Sequence, residues 1–161
     1  MPEYTFEIDH FLDAAELERL RVENLPNLLV LNARYSPHID VENAFPVTPI
    51  YVDFLRTRWR LDSDSGRAEE KVAVSGLGFG FGILLGACTG LRWCLARDAD
   101  GNFLTMGRAK SKKWEAVSVP PFSYVAKRQS VDNAEVFVHF FEQVSAEMIG
   151  FIRPRNWLLD A

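Results

Sequence analysis

The sequence predicts a single α+β domain over residues 1–161, in which a buried glycine-rich helix and other helices pack on a small antiparallel sheet. The chain is 48% hydrophobic and 25% charged, which is typical of a folded globular domain of this length. Helical spacing and capping residues occur both before residue 91 and after residue 131. Within residues 91–119, apolar and polar residues alternate as they do in strands. We expect three to five helices and no second domain.

Residues 1–70 form an acidic, helical N-terminal part. The alternation in "YTFEI" predicts a short strand over residues 4–8. Asp13, three positions before Glu16, is typical of a capping box, so we expect a helix to begin there. Pro26 is expected to end or kink this helix, and residues 28–49 are expected to form an ordered loop.

A second helix is predicted to begin at Pro49, with Thr48 as its N-cap. We expect its buried face to carry Ile50, Phe54 and Leu61.

The same helix places arginines at every second position, Arg56, Arg58 and Arg60, with Trp59 among them. Two interpretations stay open. The arginines could line a basic groove with an aromatic ring between cations, or they could complement the dipole at a helix C-terminus.

The stretch Val72–Leu91 contains six glycines and no charged residue. It lacks the third glycine of a dinucleotide loop and the Gly-Lys-Ser/Thr of a phosphate loop. Its length would span a bilayer, but its glycine content and globular flanks favour a buried helix. Glycines at four-residue spacing share one helix face, which predicts a seam where another element approaches closely. The seam consists of Gly78, Gly82, Gly86 and Gly90.

An antiparallel meander follows this helix, and an amphipathic helix follows the meander, so that the C-terminal part covers residues 72–153. The pair Asp100-Gly101 predicts a hairpin turn. Asp132 and Glu135 predict a capping box for the last helix, which buries a stripe from Phe137 to Phe151. The tail around Trp157 is expected to pack on the domain or to dock into a partner.

Charge and composition exclude several function classes. The net charge of −4 argues against nucleic acid as the main partner. Residues 1–70 carry a net charge of −7 and residues 71–161 a net charge of +3.

The sequence also predicts where the protein is located. No export signal precedes the domain, and the two cysteines, Cys88 and Cys94, lie in apolar stretches and are expected to be reduced thiols. We therefore expect a cytoplasmic protein without a membrane anchor. No catalytic, metal-binding or cofactor-binding pattern is present.

The order of motifs in the C-terminal part resembles a bacterial family known as domain of unknown function 3806. The resemblance covers roughly residues 72–141 and rests on "GLRW", a later Gly turn and "VPPFSYVAKR". It implies a bacterial origin and a related fold, and no chemistry. The matching positions are Gly82, Gly90, Leu91, Trp93, Gly101, Pro121, Ser123, Val125, Lys127 and Arg128.

A basic cluster is the strongest functional signal in the sequence. Lys112 and Lys113 lie in a predicted loop before Trp114, and Lys127 and Arg128 follow the third strand of the meander. Such a charge run is most often a solvated loop. The sharper hypothesis is a site for an anion or an acidic partner, with Lys127 and Arg128 as anchors and Trp93 nearby.

These observations predict a non-catalytic binding module that recognises another protein. An immunity or inhibitor protein for a toxin, or a secretion chaperone, would have this size and charge, with the acidic N-terminal part as the docking face. The alternative is an enzyme or a small-ligand or anion-binding protein with a pocket near Trp93, Lys127 and Arg128.

Overall fold

The structure is a computed structural model that describes residues 5–113 and 115–143. Over these residues the chain forms five helices and one four-stranded antiparallel sheet, with the strand order β1-β2-β3-β4, which confirms the predicted α+β class. The helices are α1 (Ala14–Tyr35), α2 (Pro49–Leu61), α3 (Glu70–Thr89), α4 (Pro121–Lys127) and α5 (Val136–Gln143), and the strands are β1 (Glu7–Phe11), β2 (Arg92–Asp98), β3 (Gly101–Arg108) and β4 (Val117–Val119).

The first strand and the hairpin turn differ in position from the prediction. Within the described residues the first strand runs over Glu7–Phe11, later than the predicted residues 4–8, and it pairs with β2 across a local irregularity between Ile8 and His10. In the hairpin, Asp98 pairs with Gly101, so the turn consists of residues 99 and 100. The predicted turn pair is therefore wrong by one residue. Gly101 has a φ of 123°, a conformation that glycine adopts without strain.

The predicted capping box of α1 is confirmed, because the Glu16 N–H donates to Asp13 Oδ1 at 2.8 Å. Of the two alternatives for Pro26, an end of the helix is wrong, because α1 continues to Tyr35. A proline inside a helix removes one backbone hydrogen bond. Leu28 and Leu31, just beyond the proline, are almost completely buried. Their burial offsets that loss, which is why the predicted loop over residues 28–35 is helical instead.

The N-terminus of α2 is as predicted, with Thr48 as N-cap and Pro49 in the first turn. The predicted buried face is wrong. Phe54 is 43% exposed and Leu61 is 75% exposed. The helix instead buries a face that includes two charged residues, Asp53 and Arg56, so the apolar spacing pointed to the wrong side.

Helix α3 lies at the centre of the fold, where it packs against α1, α2, α4 and the strands β2 and β3. It is long and apolar enough to cross a membrane by length and composition, but 61% of its apolar window is buried within the described structure. Gly90 ends the helix in the left-handed conformation, with a φ of 75°. The prediction of a buried glycine-rich helix is confirmed.

The glycine seam on α3 is confirmed at two of its four positions, and aromatic residues occupy it. A side chain at Gly78 would overlap Phe122 of α4, whose Cα is 3.1 Å from the Cβ position. A side chain at Gly82 would overlap the indole of Trp93 on β2. Gly90 lies beyond the helix and faces open space, so it does not belong to the seam.

Among the glycines of α3, the closest approach to the backbone of another helix occurs at Gly76, outside the predicted seam. A Cβ at Gly76 would lie 2.8 Å from the backbone of Asn27 and Leu28 in α1. A Cβ at Gly80, one turn later, would lie 3.6 Å from the nearest atom of Leu28, which is an ordinary contact distance. Only at Gly76, therefore, does α1 require a bare backbone on α3.

The C-terminal elements depart most from the prediction. Helix α4 was not predicted, and Pro121 begins it immediately after β4. The predicted capping box of α5 is wrong, because the Glu135 N–H donates to Asn133 Oδ1 rather than to Asp132. The rest of the predicted stripe beyond residue 143, the tail around Trp157, and Trp114 lie outside the described residues.

Candidate functional site: the Trp93 groove and the arginine pocket

The cations of the predicted basic cluster lie on two different elements. Lys112 and Lys113 lie in the exposed loop between β3 and β4, and exposed Lys127 is the last residue of α4. Arg128 is partly buried. Its guanidinium lies 3.6 Å from the ring centre of Tyr124 and donates to the Tyr124 carbonyl at 3.3 Å. Arg128 therefore contacts its own helix.

Trp93 lines an open cavity of about 320 Å³, which we call the Trp93 groove. The groove lies between the start of α1, one face of α3 and the sheet. Arg92 lines it, whereas Lys112, Lys113, Lys127 and Arg128 are not among its lining residues. Its apolar lining includes Leu12, Leu17, Ile83, Leu91, Trp93 and Met106.

The Trp93 ring is held in place from two sides. Gly82 lets the indole lie directly on the backbone of α3, and Phe122 of α4 stacks against the ring with a centroid separation of 5.8 Å. The Trp93 carbonyl also accepts the Leu12 N–H at 3.0 Å, which fixes the turn between β1 and α1. The wall that carries Trp93 is therefore preorganised. Leu17, on the opposite rim, keeps 41% of its surface exposed.

The segment that forms this rim is acidic. Six carboxylates and two arginines occur between residues 7 and 23. His10 lies between two of these carboxylates, 3.0 Å from Asp9 and 2.9 Å from Glu16. The hydrogen bond to Glu16, and next the one to Asp9, raise the pKa of His10. On β2, Arg97 pairs with Glu7 at 3.3 Å and offsets part of the negative charge.

A second cavity lies beside the arginines of α2 and bears on the two interpretations of these residues. Arg60 and Trp59 line a pocket of about 250 Å³ together with Arg67, Glu70, Gln129 and Ser130, and we call it the arginine pocket. Both open interpretations are partly right, because Arg58 and Arg60 lie in the last turn of α2 while Arg60 also lines a basic pocket beside Trp59. Sequence reasoning missed the contributions of Arg67 and Gln129.

Arg56 does not line this pocket, but it shapes one of its walls. The side chain is 1% exposed, and its two terminal nitrogens donate to three backbone carbonyls of the loop between α4 and α5. Desolvation by burial, and next the charge of Arg60, lower the pKa of Arg56. The bonds join Nη1 to the Asn133 oxygen at 2.8 Å and Nη2 to the Arg128 and Val131 oxygens at 2.6 and 2.7 Å. This loop carries Gln129 and Ser130.

Asp53, one turn before Arg56 on α2, connects this helix to the start of α5. Its two carboxylate oxygens accept the backbone N–H groups of Phe137 and Val138, each at 2.8 Å. The carboxylate therefore caps the N-terminus of α5 from another helix. Desolvation by burial raises the pKa of Asp53 to about 6, although both N–H bonds and the Arg56 charge act in the opposite direction.

The raised pKa of Asp53 predicts how stability depends on pH. Below about pH 4 the residue is protonated in both the folded and the unfolded chain. Between about pH 4 and pH 6 only the folded chain holds this proton, so the contribution to the free energy of unfolding falls as the pH rises, by up to about 3 kcal/mol. Urea unfolding of the wild type and Asp53→Asn between pH 4 and pH 7 measures this. The wild type is expected to lose stability relative to the variant as the pH rises, and a constant difference would contradict the assignment.

The two cysteine thiols are buried, and the Asp62 carboxylate is engaged in hydrogen bonds. Cys88 and Cys94 are buried as expected, and desolvation raises the pKa of each thiol to about 11. Asp62 accepts hydrogen bonds from Arg34 Nε at 2.7 Å and from the Tyr35 hydroxyl at 2.6 Å, which join the ends of α1 and α2. Within residues 5–113 and 115–143, no group of three or more His, Cys, Asp or Glu is placed to hold a metal ion.

Comparison of the chain with protein-family models, with curated proteins and with solved structures gives no match. The resemblance to domain of unknown function 3806 therefore stays a prediction.

Proposed function

We propose that this protein is a non-catalytic binding module that recognises another protein through the Trp93 groove. The observation that carries the proposal is an open apolar groove whose one wall is a fixed tryptophan and whose rim is a partly exposed leucine. Buried aromatic anchors at the centre of an interface contribute most of the binding energy in many protein complexes. The fixed position of Trp93 lowers the entropy that is lost on binding.

The charge around the groove indicates the chemistry of the partner. The rim segment carries Asp9, Asp13, Glu16 and Glu18, all near Leu12 and Leu17 in the chain. A partner segment with an apolar side chain for the groove and basic residues on either side would match this surface. Complementary charges of this kind accelerate encounter and suppress binding of acidic proteins.

Among bacterial cytoplasmic proteins, an immunity or inhibitor protein that masks a basic toxin would use such a surface. A secretion chaperone would use it in the same way on an apolar and basic export segment. Both roles require binding without chemistry. They differ in the partner, which is a folded toxin in one case and an unfolded segment in the other.

The proposal predicts that Leu17→Lys strongly reduces capture of the partner, while Val22→Lys leaves it unchanged. Both residues are exposed valine or leucine positions on α1, but only Leu17 lines the groove. A lysine at position 17 places a charged head over apolar surface and repels a basic partner, which is expected to weaken binding by at least about tenfold. The measurement is affinity purification of the tagged full chain from its host, followed by quantitative mass spectrometry.

The two variants serve as each other's control. A protein captured by the wild type and by Val22→Lys, and lost with Leu17→Lys, supports recognition through the groove. Equal capture by all three chains would contradict it. Melting temperatures of the three chains should agree within a few degrees, because both positions are solvent-exposed.

The alternative function, an enzyme or a small-ligand or anion-binding protein with a pocket near Trp93, Lys127 and Arg128, needs a separate test. The Trp93 groove has room for a small apolar ligand, and Arg92 is the charged residue among those that line it. Titration of the labelled chain with inorganic phosphate distinguishes the two functions. Joint NMR shifts of the Trp93 indole and the Arg128 amide would favour the alternative, and the absence of such shifts would favour protein recognition.

A further inference from the structure

The arginine pocket shares no lining residue with the Trp93 groove and plays no part in the proposed function. Four separate segments form it: the end of α2, the loop before α3, the first turn of α3, and the loop between α4 and α5. We propose that this pocket binds a carboxylate that is attached to an amide, as at the C-terminal end of a peptide.

Two guanidinium groups provide the positive charge. Arg67 lies over the ring of Trp59, with its Cζ atom 3.9 Å from the ring centre, and it forms no ion pair with any of the described residues. Arg60 is 3.5 Å from Asp132, whose side chain is fully exposed. An exposed ion pair of this length contributes little to stability. Arg60 can therefore leave Asp132 and bind a ligand with little loss of free energy. Arginine forks match the geometry of a carboxylate.

Gln129 provides the second recognition element. Both polar atoms of its side-chain amide are buried, and neither has a hydrogen-bond partner in the described part of the chain. A buried amide without partners is unfavourable by about 1–3 kcal/mol, so it favours any ligand that satisfies it. A peptide group offers one N–H and one C=O, which match the acceptor and the donors of a glutamine side chain.

The pocket is held open by contacts on either side of it. Arg56 fixes the loop that carries Gln129 through the three carbonyls described above. On the opposite side, Trp59 Nε1 donates to the Ala68 carbonyl at 2.9 Å, which fixes the loop beside Arg67. These contacts fix the backbone on both sides of the pocket, whereas the Gln129 side chain has to turn toward the ligand, because both of its amide atoms are buried.

The charge and size of the pocket favour a monoanion over a phosphate. Glu70 lines the pocket with the two arginines and repels a ligand with two negative charges more than a ligand with one. The volume of about 250 Å³ admits one terminal residue and the peptide group before it, and little more.

The experiment is an NMR titration of the isotope-labelled full chain with three probes. The probes are acetyl-glycyl-alanine with a free carboxylate, the same dipeptide with a C-terminal amide, and inorganic phosphate. We expect the free carboxylate to shift the side-chain amide signals of Gln129. We expect the C-terminal amide to bind at least about tenfold more weakly, because charge-assisted hydrogen bonds to both arginines are lost.

Variants locate the binding at the pocket. Arg60→Gln and Gln129→Leu should each weaken binding of the free dipeptide by about tenfold, and Arg58→Gln should leave it unchanged. Arg58 is the matched control, because it lies on the same helix and does not line the pocket. Circular dichroism and melting curves verify that all variants are folded.

Each outcome of the titration either supports or contradicts the proposed site. Tighter binding of the free dipeptide than of its amide, reduced by the two pocket variants only, establishes the site. No binding of the dipeptide, equal binding of its amide, or tighter binding of phosphate would each overturn the proposed ligand class. An equal effect of Arg58→Gln would show a general attraction of anions rather than a site. Because the Trp93 groove is not involved, failure here leaves the Leu17 experiment unaffected.

Discussion

Gly76→Ala is expected to lower the free energy of unfolding by about 3 kcal/mol, whereas Gly80→Ala should raise it by up to about 1 kcal/mol. The two glycines lie one turn apart on α3, and only Gly76 is pressed against backbone. Its new Cβ would be 2.8 Å from the backbone of Asn27 and Leu28, so α1 would have to move away from α3. At Gly80 the methyl group meets side-chain atoms at 3.6 Å, and the gain in helix propensity remains.

Chemical denaturation of both variants measures this difference. The pair controls for the general effect of replacing glycine in α3, because the substitution and the helix are the same. If the two variants changed stability by the same amount and in the same direction, the close approach of α1 at Gly76 would be refuted.

Arg56→Met is expected to lower the free energy of unfolding by about 3–5 kcal/mol. Methionine fills much of the same space but donates no hydrogen bond, so the Arg128, Val131 and Asn133 carbonyls lose their partner inside the fold. The charge of Arg56 also favours the carboxylate form of Asp53, so the cap of α5 is weakened as well. Arg58→Met, on the same helix and exposed, should change stability by less than about 0.5 kcal/mol.

Urea or guanidinium unfolding compares the two arginine variants. Hydrogen exchange provides a second measurement, because the amides of residues 129–135 should exchange faster in Arg56→Met than in the wild type. A small and equal effect of both substitutions would show that the three carbonyls are satisfied without Arg56.

Features encoded by neighbouring residues were predictable from the sequence. The Asp13–Glu16 capping box, the Thr48 cap and the glycine-rich helix all follow from spacings of a few residues, and the structure confirms each of them. Local signals of this kind act within one turn of helix, so they need no knowledge of the tertiary fold.

Features that depend on distant partners were not predictable. Asp53 and Arg56 look like solvent-facing residues in the sequence, because their partners lie 72–85 positions further along the chain. Their burial rotates α2 relative to its apolar pattern and leaves Phe54 exposed. The only signal was the position of an aspartate and an arginine, three apart, among the buried residues Val52 and Leu55.

The two candidate sites also combine residues that the sequence indicated with residues that only the tertiary fold brings together. The sequence indicated Trp93 as a site residue, and Trp93 lines a groove, but the cations predicted to accompany it do not line that groove. The arginine pocket joins residues from four segments, so the sequence could suggest Arg60 and Trp59 as one part of it and nothing more. The helix that begins at Pro121 was missed because consecutive prolines usually end a strand or form a turn.

The cap that α2 provides for α5 also bears on the order in which the chain assembles. The first turn of an isolated helix is unfavourable, because several residues lose their freedom for one hydrogen bond. Here the acceptor for that turn, Asp53, is synthesised 84 residues before Phe137 and is already in place once α2 has packed. Helix α5 can then grow from a template rather than nucleate alone.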